Sequence, residues 1–470
     1  MTTLLTKYLP YLILLYFLFR AYKESIYLLG IPFLIFFQYA IFFDNVKIFA
    51  VPGSLPKDVI LLMWMLIVWF ILSARPLIQP GYKLTNYNHH KGPNMIDLVI
   101  AALIIVSVVG LVKVINKNAV LTGVIKQYFA LASLFFGYFI IKRIISYTDP
   151  ISLKDFLFSI VLVNSGASFL YFLHQGLHIQ LYQLGGMEGL LQEEIFQGEA
   201  ITREFWCMPV LWFFSISYLV IFKPGKPAIW LSLLGINFIG VFVSYTRSFL
   251  AIIFVLIFLY TVLISIKKRS VATLLKNGVS VILVGTVLVF AIMRFFPDKF
   301  EYIESRFINL RKDPKDEDAN TLLIRFNNTG EVFHKLGPEK TLEGVGPVTE
   351  VQYAGTEDIV DTSADMVWTG VVFRWGYIGL GFFILLYLVG LLKAFSLFMR
   401  SDGVLSKFGL VLFLTIVSQV GESFASWTFL NPGHLPMGLW YFAVLSALSG
   451  FNKRDVVQIE KVHNGQVWIS

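Results

Sequence analysis

The sequence predicts an all-α fold, a polytopic bundle of about 12–13 transmembrane helices with a helical extracytoplasmic loop domain. Of the 470 residues, 57% are hydrophobic and 14% are charged, whereas soluble domains carry about 25% charged residues. The apolar residues form blocks of about 17 or more positions, which is long enough to cross a bilayer core of roughly 30 Å. Because a spanning helix satisfies its own backbone hydrogen bonds, repeated blocks of this kind indicate a helical bundle.

The apolar blocks divide the chain into three parts. An N-terminal membrane bundle covers 1–296, a long loop covers 297–365, and C-terminal membrane helices with a short tail cover 366–470. The candidate spans are 8–22, 26–43, 57–73, 96–116, 121–145, 153–175, 204–222, 227–243, 245–266, 274–296, 366–392, 404–421 and 435–450.

Short basic clusters between the blocks predict the orientation. Counting spans between them places all of them on one side, which the positive-inside rule assigns to the cytoplasm. The clusters are Lys142 and Arg143, Lys223 and Lys226, Lys267 to Arg269, Lys393 with Arg400 and Lys407, and Lys453 with Arg454. The connections 176–203, 297–365 and 422–434 then face outward.

The outer loop, 297–365, differs in charge from the rest of the chain. It contains 15 of the 30 acidic residues but eight Lys or Arg, so it carries −7 of a total of +8 and leaves +15 for the remainder. Phe300, Ile303, Phe307 and Leu310 fall on one helical face. A connection this long is usually functional or disordered, and we expect a helical layer over the bundle.

Composition excludes several classes of protein. The net charge of +8 is explained by basic cytoplasmic loops, so no nucleic-acid partner is predicted. The single cysteine, Cys207, excludes an internal disulfide and a cysteine-based metal cluster. Lys7 precedes an apolar stretch without a recognisable cleavage site, which favours a first span over a removable signal peptide.

Three arginines are candidates for binding an anion at the outer face. Arg247 lies between two apolar spans, Arg203 precedes the span at 204, and Arg325 lies on a predicted amphipathic helix of the outer loop. An arginine at membrane depth is costly and marks a functional candidate, although an interfacial anchor is the simpler alternative. Guanidinium groups bind phosphate oxygens in pairs, so the three together predict a phosphate-bearing ligand.

Asp365 is the candidate catalytic group. It closes the outer loop directly before a span. A carboxylate there serves either as a helix cap or as a general base at the mouth of a cavity, and Asp361 is a near alternative. The histidine pairs His89 with His90 and His174 with His178 lack a third ligand, so no metal site and no cofactor are predicted.

Several motifs occur in the order found in one family. These are SYTRS at the outer end of a span, a long outer loop with an arginine-bearing helix, LEGVGP at 342–347, and a polar residue that starts a span running into RWGYIGLG. The LEGVGP run is expected to form a tight turn and lacks the context of a dinucleotide fingerprint. Over roughly 200–390 the chain resembles the O-antigen ligase and polymerase superfamily, which handles undecaprenyl-linked glycans.

The resemblance implies roles for the candidate residues. Arg203, Arg247 and Arg325 would bind the lipid pyrophosphate. Ligases of the family place a histidine eleven residues before the first glycine of a GxxG turn. Counting back eleven residues from Gly376 reaches Asp365, and this departure favours a polymerase over a ligase that transfers glycan to a lipid A core or another acceptor.

The implied activity is metal-independent glycosyl transfer at the outer face of the bacterial cytoplasmic membrane. The implied partners are a lipid-linked oligosaccharide donor, a glycan acceptor and a chain-length regulator. A secondary transporter is the alternative from another class. Transporters usually show internal repeats and polar residues at the midplane, whereas this sequence shows no repeat. A structural or export subunit without an active site is a third possibility.

Overall fold

A computed structural model describes residues 2–30, 92–115, 137–173, 192–196, 199–203, 209–244, 247–273, 342–345, 367–423 and 439–451, with isolated positions between them. The elements, in chain order, are α1 (Thr2–Lys23), a 3-10 helix (Ser25–Leu29), α2 (Met95–Ile115), α3 (Pro150–Tyr171), β1 (Gln192–Phe196), β2 (Glu199–Arg203), α4 (Pro209–Phe222), α5 (Pro227–Val243), α6 (Arg247–Lys268), α7 (Val367–Arg400), α8 (Gly403–Ser423) and α9 (Trp440–Leu448). A further helical run covers 137–146.

The helices confirm a membrane protein with several spans. Within the described ranges, five helical stretches are long and apolar enough to cross a bilayer: Met95–Val112, Pro150–Tyr171, Ser248–Lys268, Gly370–Arg400 and Gly403–Ser423. Tyr11–Tyr22, Leu211–Phe222 and Pro227–Val243 are shorter apolar helices. The predicted spans 26–43, 57–73, 121–145 and 274–296 lie mostly outside the described residues, so the predicted total stays a prediction. The helical layer predicted for the outer loop also stays a prediction, because 297–365 lies mostly outside the described residues.

Sequence signals explain where several helices begin. The Asp149 carboxylate accepts hydrogen bonds from the Ile151 and Ser152 amides at 3.0 and 2.9 Å, and Pro150 occupies the first helical position of α3. This is a side-chain cap followed by a proline whose missing N–H costs nothing there. Pro227 starts α5 in the same way. Helix α4 begins at Pro209, five residues after the predicted start of its span.

Helix α8 is the centre of the described bundle. It packs against α7, α4 and α6, and 67% of its apolar window is buried, compared with 33–39% for the corresponding windows of α2, α6 and α7. Helix α2 packs on α7, and α3 packs on α4 and α5. The less buried helices therefore supply the lipid-facing surface. The strands β1 and β2 form an antiparallel hairpin within the predicted outward connection 176–203.

A buried amide network joins α3, α4 and α5. The Asn164 side-chain amide donates to Asn237 Oδ1 at 2.9 Å and to Ser215 Oγ at 3.1 Å. Trp212 Nε1 donates to Ser168 Oγ at 2.7 Å. Polar groups inside a membrane bundle are stable only when they are satisfied, so these bonds specify which faces of the three helices meet.

Lys267 ties the end of α6 to the turn between α7 and α8. Its ammonium group donates to the Phe398 and Ser401 carbonyl oxygens, both at 2.7 Å, and to Ser406 Oγ. The last carbonyls of a helix have no partners within the helix. A lysine that satisfies them also interacts favourably with the helix dipole.

A second charged contact joins α2 to the helical run 137–146 and to α9. The Asp97 carboxylate accepts hydrogen bonds from the Lys142 ammonium, the Tyr138 hydroxyl at 2.7 Å and Ser446 Oγ at 3.1 Å. Lys393 of α7 lies within electrostatic range of Asp97 and Lys142. A buried carboxylate with several donors is satisfied, and it fixes the packing of three segments.

Four of the five basic clusters meet at one end of the described bundle, and the fifth, Lys453 with Arg454, lies outside the described residues. Lys407 lies over the Phe222 ring at the end of α4, and Lys223 lies over Trp230. Lys267 reaches the turn that starts α8, and Lys142 is near Lys393 in the second half of α7. We call this the basic end. Its composition agrees with the predicted one-sided distribution of Lys and Arg.

Replacing Lys267 with methionine is predicted to destabilise the bundle. The variant keeps an unbranched apolar stem but removes the lysine donor of the Ser401 carbonyl and one of the two side-chain donors of the Phe398 carbonyl, which also accepts from Ser406 Oγ at 2.9 Å. We expect the free energy of unfolding to fall by about 1–3 kcal/mol, measured by thermal unfolding of the purified protein in detergent. Lys268→Met is the matched control, because Lys268 is exposed. Equal stability of the two variants would contradict the prediction.

Candidate functional site

The backbone of α7 reverses at Gly376, which has φ 63° and ψ −169°. The Trp368 and Tyr387 rings lie 6.2 Å apart, whereas in a straight helix these residues would be about 28 Å apart. The helical run predicted as span 366–392 is therefore present but not straight. Residues 367–375 fold back against 377–400, which alone extend about 35 Å and suffice to cross the membrane.

The reversal is held by a backbone contact with 342–345. The Val345 amide donates to the Phe373 carbonyl at 2.8 Å. A Cβ on Gly344 would lie 2.6 Å from Gly376 N, and a Cβ on Gly376 would lie 2.5 Å from Gly344 N. Both glycines have positive φ, so neither the space nor the conformation suits another residue. We call this contact the glycine interlock.

Trp375 anchors the interlock in the bundle. It is 1% exposed, its Nε1 donates to Ser107 Oγ of α2 at 3.1 Å, and its ring lies 5.3 Å from Phe383. The folded-back helix 367–375 is thus attached to both α2 and the second half of α7. Two of the sequence motifs meet here, although they are about thirty residues apart in the chain. Residues 342–345 of the motif LEGVGP contact residues 374–376 of the motif RWGYIGLG.

The interlock lies at the end of the bundle opposite the basic end. Residues 377–400 run from Gly376 to the turn that Lys267 binds. A Cβ on Gly421 would lie 3.0 Å from Ile252 Cγ1, which places the start of α6 beside the last turn of α8. The backbone of Arg247 therefore lies at this opposite end, as the first residue of α6.

Of the other predicted site residues, only Arg203 lies among the described residues. Arg203 is the last residue of β2, opposite Gln192 in the hairpin register. Arg325 and Asp365 lie outside the described residues, and α7 begins two residues after Asp365. The predicted convergence of the three arginines and the predicted role of Asp365 therefore stay predictions.

Two charged residues at the opposite end were missed by the sequence analysis. Arg374, in the folded-back helix, is 6% exposed, and Glu422, in the last turn of α8, is 5% exposed. Charged side chains buried at membrane depth are costly and mark functional sites by default. The sequence did contain a signal for each of them. Arg374 lies inside the predicted span 366–392, and Glu422 lies one residue beyond the predicted span 404–421.

Among the described residues, no group of three or more His, Cys, Asp or Glu side chains lies together in a way that would hold a metal ion. The polar groups that the structure brings together in the half of the bundle that contains this end are the Glu422 carboxylate, the Gln419 amide and the Tyr387 and Tyr441 phenols. These groups suit the binding of hydroxyls and anions.

Alanine at either interlock glycine is predicted to destabilise the reversal. In Gly376→Ala or Gly344→Ala the new methyl group meets backbone atoms, and positive φ adds about 1–2 kcal/mol of strain. We expect each variant to lower the free energy of unfolding by about 2 kcal/mol or more, measured by thermal unfolding. Gly381→Ala is the matched control on α7, because no atom lies within 4 Å of its added Cβ. A stable Gly376→Ala protein would contradict the interlock.

No family model matches the chain, and no curated protein matches its sequence. Any assignment of function therefore depends on the motifs of the sequence and on the geometry of the end opposite the basic end.

Proposed function

We propose that the protein is a membrane-embedded glycosyltransferase of the polysaccharide polymerase type. It transfers oligosaccharide repeat units from undecaprenyl pyrophosphate to a growing glycan at the outer face of the bacterial cytoplasmic membrane. The observation that supports this proposal best is the glycine interlock, because it joins the two motifs that carry the resemblance, 342–345 and 374–376.

The described residues that flank the segment with the candidate base also support the proposal. Val345 is bonded to Phe373, and Val367 starts the helix to which Phe373 belongs. The connection that contains Asp361 and Asp365 therefore has both of its ends attached at this site. A loop held at both ends by a rigid scaffold is a common place for catalytic groups.

The proposed reaction needs a base and an anion site. A carboxylate at Asp365 takes the proton of an acceptor sugar hydroxyl. The hydroxyl oxygen forms a bond with the anomeric carbon of the donor, and the bond between that carbon and the pyrophosphate oxygen breaks. Arg203, Arg247 and Arg325 stabilise the negative charge that collects on the leaving pyrophosphate. No metal and no cofactor take part in the proposed reaction.

The distribution of charge supports the orientation. The basic end carries the Lys and Arg clusters, and cytoplasmic loops collect such residues. The interlock, the start of α6 and Glu422 lie at the other end, which would face the periplasm or the cell exterior. Lipid-linked donors present their pyrophosphate at the membrane boundary, where arginines attached to helix ends can reach it. A chain-length regulator is a further proposed partner.

One observation favours a secondary transporter as the second candidate. Discontinuous membrane helices and buried charged residues are typical of transporter binding sites. Helix α7 is interrupted at Gly376, and Glu422 is buried in the same half of the bundle. Ligase-type transfer to a lipid A core or another acceptor is the alternative within the same chemistry. A glycosyltransferase forms a new covalent product from the lipid-linked glycan, whereas a transporter moves the glycan without changing its covalent structure.

A reconstituted assay tests the proposal. The purified protein is placed in liposomes with lipid-linked glycan extracted from producing cells that lack it. Longer lipid-linked chains and released undecaprenyl pyrophosphate are the expected products. Glycan that moves across the membrane without a change in length would indicate transport, and the absence of both products would overturn the polymerase proposal.

Asp365→Asn is predicted to abolish most polymer formation. The amide keeps the shape and the capping ability of the side chain but cannot take a proton, and a positioned base contributes about 10²–10⁴-fold to the rate. Polymer is measured at equal protein abundance beside Asp361→Asn, the matched variant of the neighbouring carboxylate. A normal amount of polymer from Asp365→Asn would show that Asp365 is a helix cap and not the base. Loss of polymer in Asp361→Asn but not in Asp365→Asn would identify Asp361 as the base.

Arg247→Lys is predicted to lower turnover about 10-fold or more while protein abundance is unchanged, because lysine keeps the charge but loses paired binding of phosphate oxygens. Release of undecaprenyl pyrophosphate provides the measurement. Arg269→Lys, an exposed position at the basic end, serves as the control and is expected to turn over normally. Wild-type turnover in Arg247→Lys would show that the residue is only an interfacial anchor.

A further inference from the structure

Four buried polar side chains meet in the half of the bundle that contains the interlock. They are Tyr387 of α7, Gln419 and Glu422 of α8, and Tyr441 of α9, and we call them the Glu422 cluster. Glu422 is one residue from the end of α8 and about 28 Å along the helix from its start at the basic end. All four are at most 5% exposed, so their polar atoms are removed from bulk water.

One hydrogen bond of the cluster is well formed and one is not. The Tyr387 hydroxyl donates to Gln419 Oε1 at 3.1 Å. The Tyr441 hydroxyl is fully buried, contacts the Tyr387 hydroxyl and lies within electrostatic range of Glu422, but its contact with Tyr387 falls short of normal hydrogen-bond geometry and no described residue supplies another acceptor. Trp440 Nε1 is also buried without an acceptor in the described part of the chain. The cluster thus contains a poorly bonded hydroxyl near a carboxylate and an amide, and the adjacent residue of α9 carries an unmet indole N–H.

Two other buried phenols of the described bundle have well-formed hydrogen bonds. The Tyr138 hydroxyl donates to Asp97 at 2.7 Å, and the Tyr218 hydroxyl donates to the Lys154 carbonyl at 2.8 Å. A phenol that only fills space in an apolar core needs such a partner, because an unmet buried donor is destabilising. A ligand that binds next to Glu422 would supply the well-formed hydrogen bond that the Tyr441 hydroxyl lacks among the described residues.

Aromatic rings flank the cluster. The Trp440 ring lies 6.1 Å from Tyr441, and the Trp368 ring of the folded-back helix lies 6.2 Å from Tyr387. Trp368 is three residues after Asp365 in the chain, so the cluster lies beside the start of the helix that follows the candidate base. Ligand sites typically combine apolar and aromatic walls with a few placed polar groups.

These groups match the chemistry of a sugar ring. A sugar carries hydroxyls that both donate and accept, and a carboxylate and an amide oxygen accept from such hydroxyls while a phenol and an indole N–H donate to them. The apolar C–H face of the ring can lie against Trp or Tyr. A lipid chain offers no such polar partners.

We propose that the Glu422 cluster binds one sugar unit of the lipid-linked glycan. Glu422 and Gln419 accept hydrogen bonds from sugar hydroxyls, and the Tyr441 hydroxyl and Trp440 Nε1 donate to sugar oxygens. This inference rests on the proposed function and adds a binding site to the one formed by the arginines and Asp365.

The test compares Tyr441→Phe and Glu422→Gln with Tyr218→Phe. Each purified variant is titrated with radiolabelled lipid-linked glycan extracted from producing cells, and thermal unfolding is recorded on the same preparations. We expect about 10-fold weaker glycan binding for Tyr441→Phe and for Glu422→Gln, the size expected for one hydrogen bond to a charged or buried group. Tyr441→Phe should unfold at the wild-type temperature or above it, because it removes a buried hydroxyl that lacks a well-formed hydrogen bond among the described residues. Tyr218→Phe should unfold at a lower temperature and bind glycan normally.

The outcomes separate the site from the proposed function. Wild-type glycan affinity in both Tyr441→Phe and Glu422→Gln would overturn the sugar site, even if the wild-type protein polymerises. Weaker binding by the variants together with no glycosyl transfer by the wild-type protein would support the site and overturn the polymerase. Stabilisation of the wild-type protein by sodium ions that is lost in Glu422→Gln would indicate a cation site and overturn the inference. If Glu422→Gln fails to fold, the glycan affinity of Tyr441→Phe alone tests the sugar site.

Discussion

The approach of two backbone segments at Gly344 and Gly376 determines the arrangement of the end opposite the basic end. With no side chain on either residue, the turn at 342–345 comes close enough for the Val345 amide to bond the Phe373 carbonyl. The bond holds α7 in a reversal rather than a straight crossing. The reversal in turn brings Trp368 to Tyr387 and attaches both ends of the connection that contains Asp365.

Buried polar groups occur at both ends of the bundle. At the basic end, Lys267 and Asp97 are surrounded by partners that satisfy them, and these contacts stabilise helix packing. At the opposite end, Arg374 and Glu422 are also buried, and the Tyr441 hydroxyl lacks a well-formed hydrogen bond with any described residue. Proteins commonly retain a locally unfavourable group where function requires it, and the proposed glycan site includes Tyr441 for that reason.

The proposals for this end divide the chemistry among different residues. Arginines bind the pyrophosphate of the donor, a carboxylate at Asp365 acts on the acceptor hydroxyl, and the Glu422 cluster binds a sugar ring. An arginine adjacent to a general base would lower its pKa and weaken it. A separation of the proposed anion site from Asp365 would therefore suit a reaction that needs both groups at neutral pH.

The amino-acid sequence by itself determined the class of the protein, because a long apolar block in lipid has to form a helix. It also predicted the shared end of Lys142, Lys267 and Lys407 and the apolar runs of α2, α3, α6 and α8. The tertiary structure decided the reversal at Gly376, since a glycine within an apolar run is equally compatible with a straight helix until a second segment packs against it. It also decided the burial of Glu422 and the partners of Asn164, because hydropathy describes one helix at a time whereas the burial of a polar group depends on which helices surround it.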